Sequence, residues 1–183
     1  MSRVGRKEIV IPKDIKVEIK DKVIISKGNN TLTVAIHPTV SVAKEGDNII
    51  KVTCNNAEKK TRAMQGMTRN LIANSIKGME TPFKKELIIK GIGFKAQVSG
   101  KNLVLTVGYS HVVNFAIPEG INIAVDGKAN QLIITGINKA VVGEIASQIR
   151  RVRPPEPYKA TGIAYIDEHI RRKAGKAAAS AKK

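Results

Sequence analysis

The chain has no tryptophan, a single cysteine, and only three phenylalanines and three tyrosines among its 183 residues. One cysteine, Cys54, excludes an intrachain disulfide and every zinc-finger spacing. Its residue type reads as a small buried apolar side chain. So few aromatics leave the core to Ile, Val and Leu. They also leave no sheet of exposed rings on which single-stranded bases would stack. Acids are scarce as well: 15 Asp and Glu stand against 32 Lys and Arg, a formal charge of +17. An excess of that size points to a polyanionic partner. No apolar run reaches 18 residues, and the start "MSRVGRKEIVIP" lacks the long apolar stretch of a signal peptide. The expectation is a cytoplasmic protein with no membrane partner.

Catalytic patterns are missing too. The histidines His37, His111 and His169 are scattered, and Cys54 has no recognisable base near it. No Gly-x-x-x-x-Gly-Lys phosphate loop occurs. The segment "LIIKGIGFKA" imitates a dinucleotide fingerprint through Gly91, Gly93 and Ala96. That fingerprint needs a helix opening at the glycines, so that its amides hold the pyrophosphate. Here Phe94, Ala96 and Val98 alternate as a strand, so the glycines read as a bulge or tight bend. The expectation is a protein that is not an enzyme and holds no cofactor or metal.

What is present is alternation. Ile15, Val17 and Ile19 fall on one face, as do Val23 and Ile25, then Leu32, Val34 and Ile36. Val40 with Val42 and Ile50 with Val52 continue the period of two, with Gly, Asn and Pro turns between. From Asn55 to Gly78 the spacing becomes helical, with Met64, Met67, Leu71 and Ser75 on one face. Asn55 and Glu58 form a candidate capping box, and Gly78 a candidate C-cap. Lys59, Arg62, Arg69 and Lys77 lie roughly opposite, either as a solvated cationic face or as an RNA contact.

The second half repeats the plan. Strands are expected at 87–89, 94–98, 103–107, 112–117, 121–125 and 132–135. A helix follows over 139–151, with Val142, Ile145, Ala146, Ile149 and Val152 on its apolar face. "GNNTLTV" at 28–34 echoes "GKNLVLTV" at 100–107, a faint sign of duplication. The expected fold class is α+β: two tandem similar modules, each a mostly antiparallel sheet packed against one helix, with basic extensions at both ends. The modules span residues 1–81 and 82–183, meeting near "GMETPF". Arg3, Arg6 and Lys7 open the chain without an acid. Arg171, Arg172, Lys173 and Lys176 belong to a closing run that also has none. Cations spread over loops, tails and one helix face suit phosphate and shape contacts to a folded RNA.

Ser2-Arg3-Val4-Gly5-Arg6-Lys7, the "GIGFKA" bend, the Gly108-Tyr109-Ser110-His111 turn and above all "RPPEPYKATGI" resemble bacterial large-subunit ribosomal protein six. The resemblance runs through essentially the whole chain, in order and with matching spacing. It implies a non-catalytic protein bound to large-subunit rRNA near the base of the lateral stalk and the sarcin–ricin loop. Neighbouring ribosomal proteins and translation factors would lie close by, and no homo-oligomer is expected. Carried over residue by residue, RNA contacts fall on Lys95, Ser110, His111, Arg151, Arg153, Tyr158, Lys159, Arg171, Arg172, Lys173 and Lys176. His111 reads alternatively as a turn histidine bonded to backbone.

The sequence departs from the family pattern in three places. Ala160-Thr161-Gly162 replaces Gly-Lys-Gly, Val112 follows the histidine where proline is frequent, and Glu8 replaces another frequent proline. Thr161 thus removes one expected cation. Pro154 should end the helix, and Pro155 and Pro157 should keep the strap extended. The strap's grip would then rest on Arg151, Arg153 and Lys159.

Overall fold

The computed structural model describes residues 4–173, apart from 47, 57, 128 and 129. Residues up to Pro82, with Ile137–Lys139, form one compact unit. Phe83–Gly136 and the residues from Ala140 onward form the other.

In the first unit six strands precede one helix: β1 (Ile9–Val10), β2 (Lys16–Ile19), β3 (Lys22–Lys27), β4 (Asn30–Ala35), β5 (Val40–Glu45), β6 (Ile49–Cys54) and α1 (Lys59–Glu80). They pair antiparallel as two sheets, β2-β3-β4 and β1-β6-β5. The period of two sends Val23, Ile25, Val34, Val40, Ile50 and Val52 into one core. Cys54 closes β6 half-buried, less enclosed than its residue type suggests.

The second unit repeats this order with β7 (Phe83–Lys90), β8 (Lys95–Ser99), β9 (Asn102–Thr106), β10 (Val113–Ala116), β11 (Ile121–Asp126), β12 (Gln131–Gly136) and α2 (Lys139–Val152). A further strand, β13 (Gly162–Tyr165), joins the free side of β7. The sheets are β10-β9-β8 and β11-β12-β7-β13. Strand for strand, β8-β9-β10 matches β2-β3-β4, and β7-β12-β11 matches β1-β6-β5. The duplication is therefore topological. The sequence echo is not its trace, because it sets β4 beside β9, which are not equivalent strands. Both echoed segments follow a hairpin glycine at φ +58°, Gly28 and Gly100, so shared turn chemistry accounts for the likeness.

Helix α1 departs from the expected face. Thr61, Thr68, Ile72, Ile76 and Met79 are buried against the first core, with Met64 partly covered, whereas Met67 and Leu71 are exposed. The buried stripe contains two threonines, and an apolar count passes over them. The capping box also fails. Asn55 accepts a hydrogen bond from the Ser41 hydroxyl at 2.9 Å, and Glu58 takes the cap position without a side-chain bond. Gly78 is helical and buried rather than a cap. The helix stops at Thr81, held extended at φ −131°, ψ 115° by the proline that follows. Helix α2 buries Val142, Ile145, Ala146 and Ile149 as its periodicity predicts, with Val152 packed at the edge of the same core.

Candidate nucleic-acid interface

The strands of the second unit carry two exposed connections that bear cations and polar rings. One is the turn between β9 and β10. Lys95 opens β8 directly across from Thr106, the last residue of β9, and so stands beside this turn. The Phe94 ring fills the space that side chains at Gly91 and Gly108 would occupy, 2.6 and 2.9 Å from an added Cβ. A strand follows the "GIG" bend, with no helix at the glycines, so the segment lacks the geometry of a pyrophosphate site.

Tyr109 ties the turn to the end of α2. Its hydroxyl donates to the Val152 carbonyl at 2.7 Å, one of the acceptors a helix C-terminus leaves without an intrahelical partner. The Arg153 guanidinium lies 5.1 Å from its ring centroid, within cation–π range. The His111 ring stacks on it, with centroids 5.9 Å apart and planes 17° from parallel. His111 is thus a stacked, exposed ring rather than a turn histidine bonded to backbone.

The second connection is the proline strap. Pro154 ends the helix as expected, but the strap does not run extended. Residues 157–159 form a turn that doubles the chain back, with the Ala160 amide donating to the Glu156 carbonyl at 3.0 Å. The legs pair through the Glu156 amide and Thr161 carbonyl at 2.9 Å, and through the Ile163 amide and Arg153 carbonyl at 2.7 Å. Thr161 is part of this fold: its hydroxyl donates to the Glu156 carboxylate at 2.9 Å. A local hydrogen-bond ladder therefore outweighs the extended preference of isolated proline dipeptides. Tyr158 and Lys159 occupy the exposed tip, and the Lys173 amide donates to the Pro157 carbonyl at 2.8 Å.

A carboxylate anchors the far leg. Glu168 is held by the Arg150 guanidinium, whose Nε donates at 2.8 Å and whose second nitrogen also reaches the carboxylate. The hydrogen bonds from Arg150 hold the Glu168 carboxyl below the usual carboxylate value, helped by the Tyr165 amide. The same contact raises Arg150. Beside this pair lies an open recess of about 510 Å³, lined by Lys90, Glu168, His169, Ile170, Arg171 and Arg172.

The predicted site residues thus fall into two places. Lys95, Ser110, His111, Arg151, Arg153, Tyr158, Lys159, Arg171, Arg172 and Lys173 belong to the second unit, along the turn, the end of α2, the strap and the segment after β13. Arg6 and Lys7 are exposed in the first unit. Arg3 and Lys176 lie outside the described residues. Lys20, Lys51, Lys84 and Arg150 are paired with carboxylates. Among the described residues, Lys95, Arg151, Arg153, Lys159, Arg171, Arg172 and Lys173 have no such partner. On α1, Arg69 is not a solvated cation: it donates to the Lys7 and Glu8 carbonyls at 3.1 and 3.2 Å. Sequence reasoning missed Tyr109, although the aromatic inside its own turn motif was a usable signal. It also missed His169, two residues before Arg171, and Lys90, which only the tertiary fold brings to the same recess.

The sequence pattern of the family described as Ribosomal protein L6 matches residues 11–81 and 90–166. The chain belongs to this family. It is 48% identical over 177 residues to the Large ribosomal subunit protein uL6 of Maridesulfovibrio salexigens, covering 96% of this chain and 98% of that protein. The protein of the same name from Acaryochloris marina is 47% identical across 97% of this chain and 98% of its own length. That of Desulforapulum autotrophicum is 46% identical across 98% and 99%. Membership makes the chain a structural, non-enzymatic ribosomal protein. Among the described residues, no helix is long and apolar enough to cross a membrane, and no group of three His, Cys, Asp or Glu is placed to hold a metal ion.

Proposed function

We propose that the chain, as a component of the large ribosomal subunit in the cytoplasm, binds large-subunit rRNA chiefly through residues 82–183. The place implied by the family resemblance is near the base of the lateral stalk and the sarcin–ricin loop. Neighbouring ribosomal proteins and arriving translation factors would share that region. The observation that carries the reading is the run of carboxylate-free cations along the turn, the end of α2 and the strap, linked to one another by the Tyr109 and strap contacts. Lys159 stands at the tip of a hydrogen-bonded hairpin, Arg151 and Arg153 at a helix end and Lys95 at the start of a strand, not on loose tails. That placement suits the phosphate pattern of a folded RNA more than a base-reading groove. Arg6 and Lys7 add a second contact from the first unit.

The test is binding of the full chain to transcribed large-subunit rRNA across a salt series, with duplex DNA as competitor. If about six phosphates are neutralised, log K falls against log[salt] with a slope of about −4 to −5. Equal affinity for duplex DNA would instead indicate a general nucleic-acid compactor. A salt-independent constant would exclude phosphate contact as the mechanism.

A further inference from the structure

We infer that Tyr109 is a positioning residue for RNA binding, holding Arg153 and His111 in one fixed arrangement that presents them together to RNA phosphate. The inference rests on the RNA-binding reading above, but its carrier is geometric. Arg153 belongs to the strap and His111 to the β9–β10 turn, segments about forty residues apart in sequence. Tyr109 is the residue on which both converge. Its hydroxyl is committed to the Val152 carbonyl, one residue before Arg153, which fixes the ring against the helix end. The ring then supplies a face 5.1 Å from the Arg153 guanidinium and a parallel surface for His111.

The consequence for binding is entropic. An arginine without a carboxylate partner samples many rotamers, and ordering it on association costs affinity. A guanidinium already resting on an aromatic ring has met part of that cost before RNA arrives. The Phe94 ring packs at Gly108 and against the core of the second unit, so the tie holds a turn that is already supported. Tyr109 is 40% exposed, but its hydroxyl proton is committed to the Val152 carbonyl and is not available to phosphate, so its contribution to phosphate binding runs through its neighbours.

The experiment compares full-length wild type with Tyr109→Leu, Tyr109→Phe, Arg153→Gln and the Tyr109→Leu/Arg153→Gln double variant. All are titrated against transcribed large-subunit rRNA over a salt series. Tyr109→Leu is expected to weaken binding about 10-fold with the salt slope retained, because Arg153 still meets its phosphate once ordered. Arg153→Gln instead flattens the slope by about 0.7–0.9, one lost phosphate. Tyr109→Phe keeps the ring and loses only the hydroxyl bond, so binding should fall about 3-fold with the slope retained. Because Tyr109 acts largely through Arg153, the double variant should bind little worse than Arg153→Gln. Fully additive losses, wild-type affinity in Tyr109→Leu, or a slope flattened in Tyr109→Leu as far as in Arg153→Gln, overturn the inference.

A second readout needs no RNA. The His111 ring protons should carry a ring-current shift that persists in Tyr109→Phe and disappears in Tyr109→Leu. A shift that survives in Tyr109→Leu removes Tyr109 from any positioning role. Wild type without preference for rRNA over duplex DNA defeats the RNA-binding reading itself, while the ring-current result still decides whether Tyr109 orders the site.

Discussion

A methyl group on Gly162 would lie 2.6 Å from the Pro154 carbonyl oxygen and 2.9 Å from that of Arg153, at a φ of +138°. The obstacle is backbone, so nothing flexible can yield. Gly162→Ala should therefore lower stability by about 2–3 kcal/mol. Gly143→Ala, inside α2 with nothing within 4 Å of the added carbon, should raise it by about 0.5–1 kcal/mol. Denaturant titration of both variants checks the pair, and a loss in Gly143→Ala would contradict the open space beside it. The neighbouring Ala160 stands at φ +58°, a left-handed conformation that glycine adopts without strain, at a position where the family resemblance expects glycine.

Glu168 supplies the pH dependence of the same region. Its carboxyl is depressed by the Arg150 hydrogen bonds, so the folded state keeps it ionised below the ordinary value of 4.5. A depressed carboxyl stabilises the fold above its unfolded pKa, and that contribution is lost as pH falls through the lower folded value. Glu168→Gln should cost about 1 kcal/mol at pH 7, allowing for solvent around a partly exposed pair. The gap from wild type should close below pH 4.5. Urea midpoints at pH 7 and in the acid range measure it, and a gap that persisted in acid would point to packing instead of charge.

At the scale of the element, α1 shows how a helix face is misread. Met67 and Leu71 are apolar, yet they are exposed and the buried face takes Thr61, Thr68, Ile72 and Ile76. Turning the helix by one residue, about 100°, separates the two faces. Ile72→Ala should cost about 2–5 kcal/mol, since the side chain is fully buried in the first core. Leu71→Ala should stay within about 0.5 kcal/mol, since the side chain is exposed. Thermal or denaturant unfolding distinguishes them, and equal losses would mean that Leu71 is also covered. The second helix was legible because its apolar residues are unmixed, with Val142, Ile145, Ala146 and Ile149 at 3- and 4-residue spacing. β1 and β13 were not, being two and four residues long and lacking a readable alternation.

Across the whole molecule, two units share one topology, and the second adds β13 and the strap that carries Arg153 and Lys159. A strand lent to the edge of β7 fixes the C-terminal leg of the strap, so the cations at its tip are held by a sheet. This is a different design from a charged tail, although the two look alike in composition. The net charge of +17 sets the sign and the salt dependence of any partner interaction. How many phosphates are met depends on how many of those cations the fold leaves unpaired and holds in place.

Composition and local order determined the class of this protein. The excess of cations, the alternation of small apolar residues, the absence of catalytic patterns and the proline strap motif are all properties of neighbouring residues, and neighbours are what a sequence displays. Only the tertiary structure decided which α1 face is buried, that the strap folds back through Thr161, that Arg69 serves the N-terminal backbone, and that Tyr109 joins Arg153 to His111. Each depends on residues that are distant along the chain or on competition between local preference and a hydrogen bond elsewhere. Those energies exist only once the strands have brought the partners together.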